Sequence, residues 1–115
     1  MNASKTRQKA PTIVPERLVL PAVLQALRSH PSVAWADRMS VGAARLTGGF
    51  FVRFNTPGTP DIIGQMKSGA FLAVECKSTD GKVTPDQHTF LARVTRWGGV
   101  AGVARSVEDA LRIVS

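Results

Sequence analysis

A single cysteine, Cys76, is all the thiol in this chain of 115 residues, so an internal disulfide is excluded. Together with His30 and His88 it offers too few soft ligands at useful spacing for a zinc site. No apolar run approaches the roughly 20 residues that cross a bilayer, so no membrane span is expected. The basic start leads into no apolar stretch with a small-residue cleavage site, which argues against a secretory signal and for the cytoplasm. No glycine-rich phosphate-cradling motif stands out, and a small-ligand regulatory domain is left without support. Acidic residues are scarce as well: eight Asp and Glu face fifteen Lys and Arg, a formal net charge of +7. Such an excess attracts polyanions by counterion release, which makes nucleic acid the leading partner class.

What remains is ordinary globular composition. With 43% hydrophobic and 20% charged residues, the chain fills one core and is too short for two ordinary domains. Residues 1–12 carry Lys5, Arg7 and Lys9 with almost nothing to bury, and read as a flexible basic arm ahead of a single domain over 13–115. Leu18, Val19, Val23, Leu24 and Leu27 recur at helical spacing after Pro15 and before His30-Pro31, predicting a first helix that Pro21 should kink or delay. A strand is expected over 32–38, a loop or wide-tipped hairpin over 39–49 and a strand over 50–55.

Residues 61–66 and 70–77 read as two strands joined by Lys67-Ser68-Gly69. Thr84, Pro85 and Gln87 mark the start of a helix carrying Phe90, Leu91 and Val94, and Gly98-Gly99 marks its end. A short strand over 100–104 and a helix capped by Ser106 complete the order α, three or four strands, α, β, α. This predicts an α/β fold with a central mixed sheet flanked by helices. Trp35 and Trp97, each beside apolar neighbours, are expected in the core or an interface and not as base-stacking platforms.

Chemistry concentrates at the 61–77 hairpin. Residues two apart in a strand share a face, so Glu75 and Lys77 project together, and antiparallel pairing brings Asp61 close to Glu75. Two converging carboxylates suit a hard divalent cation such as magnesium or manganese, and a neighbouring lysine suits orienting or deprotonating water. Taken singly, Glu-x-Lys also describes a solvated ion pair, and Asp after Pro a turn.

Pro60-Asp61 followed by Glu75-x-Lys77 resembles the signature of the PD-(D/E)xK nuclease superfamily. The run Gly58-Thr59-Pro60-Asp61-Ile62-Ile63-Gly64, then Val74-Glu75-Cys76-Lys77-Ser78, Thr84-Pro85-Asp86-Gln87 with Phe90, and Gly98-Gly99-Val100 with Val103-Ala104-Arg105-Ser106 resembles, more narrowly, a VRR-NUC (virus-type replication-repair nuclease) domain over most of residues 15–114. The resemblance implies a restriction-endonuclease-like core and a DNA endonuclease dependent on Mg2+ or Mn2+. It implies that Asp61, Glu75 and the Cys76 carbonyl bind the cation and that Lys77 activates or positions the attacking water. Gln87 matches a glutamine of the family's site, although Thr84-x-x-Gln87 is equally a capping box. Glu16 matches an acidic residue that completes the site, although a Glu in a first helical turn also favours the helix dipole.

Arg38, Arg45, Arg53, Lys67, Lys82, Arg93 and Arg96 are the candidate phosphate contacts. The resemblance further implies a homodimer acting on branched DNA such as Holliday junctions, in a bacterial or phage-infected host cell. The rival readings are a non-catalytic nucleic-acid-binding module of the same fold and a nuclease directed at flaps or ends.

Overall fold

The computed structural model describes residues 12–39, 43–45, 51–53 and 56–115. Residues 1–11 of the expected basic arm lie outside them, as do 40–42, 46–50, 54 and 55. Helix α1 (Glu16–Ser29) starts after Pro15, whose carbonyl accepts the amides of Leu18 and Val19. It runs without a break through Pro21, so the proline neither ends the helix nor delays it. Val19, Leu20, Val23 and Leu27 form its buried stripe. Leu18 was expected in that stripe but is 55% exposed: with Val23 and Leu27 inward, the 3.6-residue period turns Leu18 toward water and Leu20 inward.

Strands β1 (Val33–Arg38), β4 (Ile62–Met66), β5 (Phe71–Cys76) and β6 (Val100–Ala104) form one sheet in the order β1-β4-β5-β6. The first three run antiparallel and β6 joins β5 in parallel, after the crossover through α2 (Pro85–Arg96). The result is the mixed, helix-flanked α/β sheet expected from the sequence. Two short strands, β2 (Ala43–Arg45) and β3 (Phe51–Arg53), pair antiparallel as a separate hairpin, and the side chains of Arg45 and Arg53 lie outside the described part. Gly64 lets β1 and β4 approach: a Cβ there would sit 2.3 Å from the Trp35 carbonyl oxygen.

The core lies on one face of the sheet. Ile62, Leu72, Val74 and Cys76 point there and are fully buried with Val23 and Leu27 of α1 and with Ala110 of α3 (Val107–Val114). Helices α1 and α3 pack on each other over this face, and α2 packs against β5 and β6 from the other side, burying Leu91. Strand alternation therefore puts Asp61, Ile63, Ala73 and Glu75 on the α2 side. Helix α2 begins as predicted: Pro85 occupies the first turn, and Thr84 and Gln87 close a reciprocal capping box.

Candidate active site

The two carboxylates face each other across the open end of the β4–β5 hairpin. Ile62 pairs with Val74, so the next step of the same register sets Asp61 opposite Glu75 on one face. Asp61 is fixed from three directions. Ahead of it, Gly58 (φ +80°) lies so close to α2 that a Cβ would meet the Asp86 carbonyl oxygen at 2.2 Å, which docks the Thr56–Pro60 turn on the first turn of α2. Its backbone carbonyl accepts the Met39 amide at 2.7 Å, extending the β1–β4 ladder. Its carboxylate Oδ2 accepts the Cys76 amide at 2.9 Å, in the place a strand carbonyl would otherwise fill. The N–H and C=O of one strand residue point to the same edge, so the Cys76 carbonyl also faces the Asp61 side.

Glu75 is only 2% exposed, and its Oε2 is buried without a hydrogen-bond partner. Burial first, then the hydrogen bond and negative charge of Asp61, push its carboxyl from the ordinary 4.5 to about 9, with Glu16 adding slightly and Lys77 opposing. The metal-free pair therefore holds a proton at neutral pH. Cys76 turns its thiol into the core, where burial and then the charges of Asp61 and Glu75 raise it to about 12, so it is an inert core side chain. Among the described residues, no three or more His, Cys, Asp or Glu side chains gather closely enough to hold a metal ion. Glu16 thus lies near enough for its charge to reach Glu75 and is not gathered with the pair into such a cluster.

Lys77 follows the last residue of β5, and its amide donates to the Ala104 carbonyl of β6 at 3.1 Å. The loop after it is braced by a residue that sequence reasoning missed. Arg105 Nη1 donates to the carbonyls of Ser78 (2.8 Å) and Gly81 (2.6 Å). The Val14 amide donates to Thr79 Oγ1 at 2.8 Å and the Thr79 amide to the Val14 carbonyl at 3.2 Å, tying the same loop to the entry of α1. Arg105 stands within the run Val103–Ser106 that carried the family resemblance, but a contact spanning 24 to 27 residues leaves no local pattern. Gln87, half-buried, spends its side-chain oxygen on the Thr84 amide at 2.9 Å, so the capping role is the one formed here.

The basic residues divide by position. Arg38 ends β1 opposite Ile62 and lines, with Glu16, Arg17, Leu20 and Pro21, a hollow of about 270 Å³ next to the Asp61 end. Lys82 is exposed on the loop that follows Lys77. Lys67 sits at the closed end of the hairpin, beside Ser32 and Ser115, on the far side of the five residues of β4 and about 20 Å along the chain from Asp61. That distance separates it from the carboxylates. Arg93 and Arg96 lie on the exposed face of α2 toward its C-terminus. Of the two places expected for the tryptophans, core or interface, the core does not hold: Trp35 is 42% and Trp97 78% exposed.

The family model described as the VRR-NUC domain matches residues 23–108. This chain belongs to the VRR-NUC family. VRR-NUC domains are a family of nuclease domains, so the chain is a nuclease domain with DNA as its substrate class. The matched stretch contains Asp61, Glu75, Lys77, Gln87 and Arg105, and begins seven residues after Glu16. No curated protein and no solved structure matches the chain.

Proposed function

We propose that this VRR-NUC domain is an endonuclease that hydrolyses DNA phosphodiesters with a divalent cation, magnesium or manganese, and selects branched DNA such as four-way junctions. The observation that carries the proposal is the buried Glu75 carboxyl, with Oε2 unpartnered, across a strand end from Asp61. Two carboxylates in that arrangement repel unless a proton or a cation lies between them. The donors are all oxygens, namely Asp61, Glu75 and the Cys76 carbonyl, which fits a hard cation and excludes a preference for soft metals. When bound, such a cation supplies positive charge to the scissile phosphate and acidity to water.

The chain's own residues do the rest. Asp61 and Glu75 provide the negative seat, and Asp61 keeps its orientation through the Cys76 amide. Lys77 orients the attacking water and offsets charge that develops on the phosphate. Water adds to phosphorus, one ester P–O bond breaks, and a phosphate monoester and a free hydroxyl result. Arg38, at the end of β1 opposite Ile62, and Lys82, on the loop that follows Lys77, hold the flanking phosphates. Paired cuts in a two-fold-symmetric junction require two similarly oriented sites, so the acting species is a homodimer.

The test is cleavage of labelled four-way junction, flap and linear duplex DNA with magnesium or manganese, comparing wild type, Asp61→Ala and a chelator control. Symmetric junction cutting that disappears in the variant and with chelator supports the proposal. Cutting confined to flaps or ends replaces junction selectivity with an end-directed activity, and binding without cleavage by folded wild type overturns hydrolysis.

A further inference from the structure

Among the described residues Trp97 is the most exposed of the large apolar side chains, at 78%. A single exposed apolar side chain is ordinary, so what marks this indole out is the set of groups around it. Here it is the C-cap of α2, with the Arg96 guanidinium over its ring at 5.5 Å from the centroid. Thr89, Ala92, Arg93 and Arg96 line one groove with it. The helix C-terminus by itself favours a basic side chain at this point, but it does not explain the indole. Among the described residues the ion pairs are Arg28 with Asp37 and Arg112 with Asp109, so neither Arg93 nor Arg96 is neutralised by a carboxylate.

We infer that this end of α2 is a docking surface for unpaired nucleotides of the DNA substrate, with Trp97 stacking on a base and Arg93 and Arg96 on its flanking phosphates. The inference rests on the reading of the domain as one that acts on DNA, and adds to it a single-stranded element of the substrate. Charge complementarity selects a polyanion over an apolar partner. The aromatic then selects unpaired over paired DNA, because the faces of bases within a duplex are covered by their neighbours, whereas an unpaired base has a free face for the indole. From Gln87 to Trp97 the helix rises about 15 Å, so the surface lies beside the carboxylate site without being part of it.

The sequence makes the test clean: Trp35 and Trp97 are the two tryptophans and there is no tyrosine. In the 115-residue chain carrying Trp35→Phe and Asp61→Ala, with chelator present, the emission is that of Trp97 and the DNA stays intact. Oligothymidylate and a duplex with a single-stranded overhang should quench it, and blunt duplex should not. Trp97→Ala should weaken oligothymidylate binding, read by anisotropy, on the order of tenfold, with Trp97→Phe close to wild type. Arg93→Ala and Arg96→Ala should weaken binding to oligothymidylate and to the overhang duplex, and each lower the salt slope by about one.

Equal quenching by blunt duplex, or an unchanged affinity in Trp97→Ala, overturns the inference. So does emission that depends on protein concentration alone together with loss of a dimer in Trp97→Ala, which would assign the face to a second copy of the chain. Because these are binding measurements on cleavage-blocked protein, they can succeed where the hydrolysis assay fails, and the reverse, so the two readings fail separately.

Discussion

The two faces of the central sheet are built from the same strands and do opposite work. On the α1–α3 side, Ile62, Leu72, Val74 and Cys76 are sealed among aliphatic side chains with no charge. On the α2 side, one residue away in each strand, stand Asp61 and Glu75, and farther along lie the exposed Trp35, Gln65 and Phe71. The period of two separates stability from chemistry at the scale of a single residue. Glu75 shows the cost: it lies in the central strand, where even the functional face is closed, so its carboxyl is buried and holds its proton to about pH 9.

The separation can be broken most strongly at the carboxylates. Glu75→Gln should reduce cleavage by more than about a hundredfold, since even residues that only support metal ligands account for 10- to 100-fold. The same change should not destabilise the metal-free protein. The folded-state pKa of Glu75 is raised, so its contribution to stability is complete below pH 4.5 and is lost as pH rises toward about 9. Thermal melts in chelator should therefore show wild type weakening across that window and Glu75→Gln responding less. Leu72→Ala on the other face should do the reverse, costing about 2–5 kcal/mol in denaturant melts while the residual folded protein keeps its cation affinity.

A smaller effect sharpens the comparison at the boundary between faces. Arg105 touches neither carboxylate; it holds the Ser78 and Gly81 carbonyls and thereby the chain that leaves Lys77. Arg105→Ala should lower kcat about tenfold through misplacement of Lys77, with KM and cation affinity unchanged. A purely structural role would instead lower the melting temperature without this split between kcat and KM.

The sequence foretold most of this architecture where the signals are local. The capping residues Thr84, Pro85 and Gln87 announce α2, and the hairpin turn sets the register that joins Asp61 to Glu75. It foretold less where distance in the chain decides. The depth of Glu75 follows from β6 pairing on the far side of β5, a parallel partner reached only after a helix. Arg105 acts across 24 residues or more, and Leu18 and Leu20 exchange roles according to which residues α1 meets on the sheet. The exposure of Trp97 could not be inferred from the apolar residues nearby, because they do not say where a helix ends relative to the sheet.

The most direct measurement is calorimetric titration of manganese into wild type and Glu75→Gln near neutral pH, in two buffers of different ionisation heat. If Asp61 and Glu75 seat the cation, wild type binds it and releases the proton that Glu75 holds, and the variant binds more weakly and releases none. Equal affinity and equal proton release in the two proteins, or no binding by wild type, would contradict the account.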